Sequence, residues 1–246
     1  MPITTFERVE KKFIVTREQY ERILPTIYNY MDADPYCLDG KSYRLCNLYF
    51  DDELDSIIRR SVDKPKYKEK LRIRSYDVPK SEDTIVYIEL KCKYRGTGTK
   101  RRAGFPYKDI MNYLQTGIHP PTDSYIYEQV LCEIDSFLQR NPCYPKVFIS
   151  YDRQAFFLKD DTETRLTFDD NILTRRYDLD LTLGNYGERL LPDGRLIMEV
   201  KMQGAVPLWL SKLLSSEGLF MTPYSKYGKE FEKYYKRQHP SVISAD

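Results

Sequence analysis

Charged side chains occupy every second position through Lys68, Lys70, Arg72 and Arg74, and again through Glu89, Lys91 and Lys93. A β-strand sends successive side chains to opposite faces. Each set therefore shares one face, and Leu71, Ile73, Ile88 and Leu90 fall on the other. The alternation returns with Arg8, Glu10 and Lys12, with Tyr151 and Arg153, with Arg165, Thr167 and Asp169, and with Glu199 and Lys201. Val9, Leu166, Phe168 and Val200 take the opposite faces. This patterning predicts strands over 6–15, 42–50, 67–76, 84–94, 146–157, 163–169 and 195–203. A turn at Gly96-Thr97-Gly98 predicts one more, returning through Lys100, Arg101 and Arg102.

Elsewhere the period changes to that of a helix. Thr16 with Gln19 three residues later has the pattern of a capping box. Tyr20, Ile23, Leu24 and Ile27 supply the apolar side of that helix, and Pro25 is placed to kink or end it. A short helix is expected near Leu54–Arg60, after a turn at Asp51-Asp52. Longer ones are expected over Tyr107–Leu114 and Tyr125–Arg140, where Val130, Ile134, Phe137 and Leu138 recur at helical spacing. Pro207–Ser216 follows, with Gly218 as a stop signal. A last helix starts near Tyr227 and carries Phe231, Tyr234 and Tyr235.

About eight strands with helices between them, several strands following each other directly, predict an α+β fold with antiparallel pairing. No repeat, low-complexity tract or clean linker divides 1–246, so a single domain is expected. The apolar faces must be buried under helices. The charged faces then either meet solvent on an open sheet or line a barrel around an anionic ligand, because clustered cations without a partner are costly. Repetition of the pattern on so many strands favours a basic, phosphate-binding cavity.

Composition narrows the chemistry. With 41% hydrophobic and 31% charged residues over 246 positions, the chain is globular and not disordered. Its 39 basic and 37 acidic residues nearly cancel, so coating of nucleic acid by bulk charge is excluded and any strong positive field must be local. The 22 tyrosines suit a wall between a core and a wet cavity. Only two histidines exist, His119 and His239, each beside a proline, which argues against a His-ligated zinc site and a Ser-His-Asp triad. The five cysteines show no CxxC pair and are expected as small buried apolar residues. There is no long apolar run and no signal-peptide core at the N-terminus, so a cytoplasmic location without an intrinsic membrane segment is expected.

Two other acidic or glycine-rich runs take structural readings. Gly96-Thr97-Gly98-Thr99-Lys100 lacks the spacing of a phosphate loop and reads as a hairpin. Asp51-Asp52-Glu53-Leu54-Asp55 reads as a turn with carboxylates at a helix N-terminus.

Six motifs in order along the chain, Glu10-Lys11-Lys12-Phe13, Leu71-Arg72-Ile73-Arg74, Ile88-Glu89-Leu90-Lys91, Ser150-Tyr151-Asp152-Arg153, Met198-Glu199-Val200-Lys201 and Ser225-Lys226-Tyr227, resemble those of the VTC domain. This is the polyphosphate polymerase branch of the triphosphate tunnel superfamily, and the match is to its stand-alone bacterial type. The resemblance implies an eight-stranded antiparallel β-barrel tunnel with helices packed around it. It implies transfer of the γ-phosphate of ATP to inorganic polyphosphate, supported by Mn²⁺ or Mg²⁺. By motif, Arg72, Arg74, Lys91, Arg153, Arg165 and Lys201 would be catalytic. Lys12, Lys70, Lys93, Arg102, Tyr151, Lys226 and Lys229 would bind phosphate or nucleotide, with Lys100 the alternative to Arg102. Glu199 matches the metal-binding glutamate. Glu10 and Glu89 are further metal candidates or water-positioning bases, but excess positive charge beside each favours a salt-bridge role. A membrane-protein partner and the oligomeric state are left open.

The residue chemistry agrees with phosphoryl transfer, which needs positioning and charge neutralisation more than covalent help. Arginine forks grip phosphate oxygens bidentately. Two other functions use the same cations. One is a triphosphatase of the same superfamily, although Arg8 stands where those hydrolases carry the first glutamate of an ExExK motif. The other is a non-catalytic polyphosphate or nucleotide sensor.

Overall fold

The structure is a computed structural model and describes residues 8–95 and 97–240. It has an α+β fold built on a sheet of ten strands. These are β1 (Arg8–Thr16), β2 (Met31–Ala33), β3 (Tyr43–Asp51), β4 (Tyr67–Tyr76), β5 (Ile85–Tyr94), β6 (Thr97–Pro106), β7 (Tyr144–Leu158), β8 (Asp161–Arg175), β9 (Glu188–Arg189) and β10 (Arg195–Gln203). The main path runs β1-β10-β8-β7-β3-β4-β5-β6, with β2 on β7 and β9 on β8. Among the described residues no pairing joins β1 to β6, so the sheet is not seen to close. The helices are α1 (Arg17–Tyr30), α2 (Ser56–Val62), α3 (Tyr107–Thr116), α4 (Tyr125–Arg140), α5 (Leu208–Ser216) and α6 (Lys226–Gln238). None among the described residues is long and apolar enough to cross a membrane.

The chain divides into two compact units. The first comprises Met1–Arg44, Tyr151–Ile172 and Leu191–Tyr224. Here β1 pairs antiparallel with β10, and β10 with β8. Phe13, Val15, Leu166, Phe168, Met198 and Val200 turn to one face and pack under Tyr20, Ile23 and Ile27 of α1 and Leu210 of α5. Each such fully buried side chain contributes about 1.5–3 kcal/mol. The capping box at Thr16 and Gln19 forms as predicted. Pro25 does not end α1, which continues to Tyr30. Burial of Ile23 and Ile27 on either side of Pro25 outweighs its lost amide bond.

The second unit comprises Leu45–Ser150, Leu173–Leu190 and Ser225–Asp246. Its centre is the meander β4-β5-β6. Leu71, Ile73, Ile88, Leu90, Ala103 and Phe105 form its apolar face and are covered by Ile110 and Tyr113 of α3 and by Val130, Ile134 and Phe137 of α4. The hairpin reading of 96–100 holds for the β5-β6 pairing, while Gly96 itself, like residues 6 and 7 of the first predicted strand, lies outside the described residues.

Several expectations are corrected. β2, β9 and a 3-10 turn at Pro35–Gly40 carry too few residues for a periodic signal. β8 extends to Arg175, well past 169. Cys37 and Cys46 are buried, but Cys132 is exposed, because it lies away from the Val130–Ile134–Phe137 side of α4.

Candidate phosphate-binding site

The charged faces foreseen from the alternation exist in both units. In the first unit the register sets Lys12 against Glu199 and Glu10 against Lys201. Lys12 Nζ lies 2.8 Å from Glu10 Oε1 and 3.4 Å from Glu199 Oε2, and donates to the carbonyl of Tyr224 at 3.1 Å. Lys201 Nζ holds the other oxygen of Glu199 at 2.6 Å. Burial works against the Lys12 charge, but Glu199 and Glu10 outweigh it and hold the ammonium above its ordinary range. The result is a checkerboard of alternating sign across β1 and β10.

On β8 of the same unit, Arg165 registers with Lys201 and Thr167 with Glu199. Arg153 of β7 forms a fork with the fully buried Asp169, Nε to Oδ1 at 2.6 Å and Nη2 to Oδ2 at 2.8 Å. Burial opposes the Arg153 charge, yet Asp169 keeps it firmly protonated. The Arg153 guanidinium also lies over the Tyr151 ring at 5.2 Å. Arg165 donates to the Tyr43 hydroxyl at 2.9 Å and lies 3.7 Å from Asp34.

In the second unit four cross-strand rows share one face of β4, β5 and β6. Arg74 registers with Tyr87 and Gly104. Arg72 registers with Glu89 and Arg102, Lys70 with Lys91 and Lys100, and Lys68 with Lys93 and Gly98. Glu89 is fully buried, with Arg72 Nε and Nη2 each 2.6 Å from its Oε2, and with Lys100 Nζ 3.6 Å from its Oε1. Burial resists ionisation of Glu89, but Arg72, Arg74 and Lys100 bring its carboxyl down to about 2. Burial pulls the Lys100 ammonium down to about 8, against Glu89 and with help from Arg102, Arg74 and Arg72. Lys91 and Lys93 are exposed at the far end of β5.

Sequence patterning missed the residues that hold these cations. Asn47, fully buried on β3, accepts from Arg74 Nε at 2.8 Å. The Tyr49 hydroxyl accepts from Arg72 Nη1 at 3.0 Å. Tyr227 stacks near Tyr49 at 4.9 Å, lies under Lys70 at 5.7 Å, and donates to Asp51 Oδ2 at 2.8 Å. Asn47 and Tyr49 stand at period two on β3, a signal that lacks the charge marking the other strands. The Asp51–Asp55 run is a helix start as predicted, with Asp51 accepting from the amides of Ile57 and Ile58, each at 2.9 Å. Lys229 turns to Glu232 of its own helix at 2.6 Å, while Lys226 opens α6 beside the Ser225 cap.

A Mn²⁺ or Mg²⁺ ion takes several oxygen ligands and accepts phosphate among them. Among the described residues no three His, Cys, Asp or Glu side chains converge to form a protein-only cage. Glu10 and Glu199 nevertheless already share one cation, the Lys12 ammonium. Beside them Thr167 Oγ1 is buried without a hydrogen-bond partner. This donor set fits a cation whose remaining ligands come from phosphate.

One face of β4, β5 and β6 is thus given to rows of arginine and lysine, a local positive field of the kind that attracts polyanions. The chain belongs to the VTC domain family, whose profile matches residues 7–235. Membership implies chemistry on phosphate or triphosphate. A sequence search among curated proteins finds no match. Among solved structures, a candidate adenylate cyclase from Bacillus halodurans is similar with a TM-score of 0.52 and 13% identity, covering 89% of this chain and 94% of that one. This likeness shows the fold. A candidate adenylyl cyclase from Hippeastrum, described as having a dominant triphosphatase activity, gives a TM-score of 0.49 at 16% identity over 90% of this chain and 93% of that one.

Proposed function

We propose that this chain, as one VTC-type domain, is a polyphosphate polymerase that moves the γ-phosphate of ATP onto a growing inorganic polyphosphate chain. The observation that carries this reading is the run of cations along β4 and β5. Beyond the Arg72–Glu89 row, Lys70 registers with Lys91, and Lys68 with Lys93. Like charges directly opposite each other destabilise a sheet, and a chain of phosphates is a ligand that would offset that cost. A single triphosphate would need fewer rows.

In the second unit, Arg72 and Arg74 are presented as pre-aligned forks by Glu89, Tyr49 and Asn47. Pre-alignment matters because donors already in place need no reorganisation as charge develops. In the first unit, Lys12, Lys201, Arg153 and Arg165 supply charge, and Glu199 with Glu10 would hold the metal. The bound metal would neutralise phosphate oxygens during transfer. The closed tunnel implied by the family resemblance is part of this proposal, as is action in the cytoplasm.

The test is incubation with ATP and Mn²⁺, with and without a short polyphosphate primer, read on a polyphosphate-staining gel beside a free-phosphate assay. A ladder of long polyphosphate, lost in Arg72→Ala and Glu199→Gln, is expected. Free phosphate without a ladder would replace the polymerase with a triphosphatase. Tight triphosphate binding with neither product would leave a sensor.

A further inference from the structure

The charged face of the second unit changes character at one end. Its rows pass from Lys68 and Lys93, through Lys70 and Lys91, to Arg72 and then Arg74. At the Arg74 row the partner on β5 is Tyr87, and two residues further along β4 stands Tyr76. The Tyr76 and Tyr87 rings meet edge to face, 5.9 Å between centroids at 86°. The guanidinium of Arg102 lies over Tyr87, 4.7 Å from its centroid. On β6 the residue opposite Tyr87 is Gly104, where a Cβ would stand 2.9 Å from Tyr87 Cε1. The ring therefore rests on bare backbone and is set by that contact. Tyr76 remains 50% exposed although it is large and aromatic, and Arg102 is exposed as well.

We propose that Tyr76, Tyr87 and Arg102 form a nucleobase subsite, so that the nucleoside lies at the β4–β5 loop end and the phosphates run toward the lysine rows. The assignment rests on the polymerase reading for its phosphate donor and adds to it the seat of the base and the direction of the chain. Aromatic rings and guanidinium planes both stack on nucleobases. Alternate residues on a strand advance roughly 6.6 Å, so Tyr76 stands roughly 13 Å along β4 from Arg72. An extended nucleoside triphosphate spans such a distance between base and terminal phosphate. Stacking does not read base edges, so purine and pyrimidine triphosphates would both be accepted. Inorganic triphosphate would bind without using the subsite.

The test is equilibrium binding of the β,γ-imido analogue of ATP and of inorganic triphosphate to the full chain. A Tyr76→Leu/Tyr87→Leu double variant should lose about tenfold or more in affinity for the analogue, the scale of one lost base stack. Its affinity for inorganic triphosphate should hold, which also reports that the variant is folded. Tyr87→Phe keeps the ring face and should bind as the parent does, while Gly104→Ala pushes the ring aside and should lose affinity for the analogue alone. An equal loss for both ligands, or no loss for either, would overturn the subsite and leave the phosphate site standing. Failure of the parent protein to bind either ligand would overturn the phosphate reading, and the subsite with it.

Discussion

Asn47 holds Arg74 in place: its side-chain oxygen accepts from Arg74 Nε at 2.8 Å, and its amide nitrogen donates to the carbonyl of Ile149 at 2.8 Å. Both ends of a fully buried amide are thus committed, and the guanidinium inherits their rigidity. Asn47→Ala leaves a buried donor and a buried acceptor without partners, a loss of about 1–3 kcal/mol for each unsatisfied group. The expected outcome is a lower midpoint in urea together with weaker triphosphate binding. Asn47→Asp keeps the shape but gives Arg74 a fixed counter-charge. It should bind triphosphate more weakly than the parent protein, and it should also lose stability, because a carboxylate oxygen then faces the Ile149 carbonyl where the amide donated.

Arg176 anchors α6, the helix that follows Ser225, through Glu230. Arg176 bridges Asp55, at 2.9 Å and 3.0 Å, and Glu230, at 2.8 Å and 3.0 Å, and its guanidinium lies 3.8 Å from the Tyr234 ring centroid. Both carboxylates are buried. Arg176→Met would strand them together, and breaking a buried pair from one side costs about 3–5 kcal/mol. Denaturant titration should show a loss on that scale. The Arg176→Met/Asp55→Asn/Glu230→Gln triple variant should recover most of it, since no unpaired charge remains.

The pH dependence has two limbs of known sign. Glu89 stays ionised in the folded chain down to about 2, against an ordinary 4.5, so the unfolded chain binds the extra proton between those values. Its contribution to stability is complete above 4.5 and is lost as pH falls toward 2. Lys100 acts with the same sign at higher pH. Its folded ammonium titrates near 8, against an ordinary 10.5, so the unliganded protein gains stability from this group as pH rises across that window. Triphosphate binding should weaken over the same rise, because the neutral amine no longer attracts phosphate. Calorimetric binding at pH 7 and pH 9.5 should show the drop, and Lys100→Met should flatten it.

Metal dependence should run through Glu199. The affinity of the parent protein for inorganic triphosphate is expected to rise on adding Mn²⁺. Glu199→Gln should remove that rise while keeping most metal-free binding, since Lys12 and Lys201 lose a competing carboxylate. An undiminished Mn²⁺ effect in Glu199→Gln would place the metal elsewhere.

Strand positions were legible because side-chain alternation is written in neighbouring residues. The predicted 67–76 and 195–203 coincide with β4 and β10, and Tyr125–Arg140 with α4. The face assignments followed from the same rule, down to the burial of Leu71, Ile73, Ile88 and Leu90 opposite the cations. The short β2 and β9 escaped because pairing with β7 and β8, not any pattern of their own, makes them strands.

The cations themselves were legible, but their partners were not. Alternation placed Arg72, Arg74, Glu89, Lys12 and Glu199 on charged faces without choosing registers between strands. Register then decided that Arg72 meets Glu89 and that Lys12 meets Glu199, while Lys70 meets another lysine. Asn47 gained its role only by reaching Ile149, and Arg176 by reaching Asp55 and Glu230. A residue's preference for a face depends on its own backbone geometry and is repeated every second position. Its hydrogen-bond partner depends on which distant segment folding brings alongside, and no local pattern carries that information.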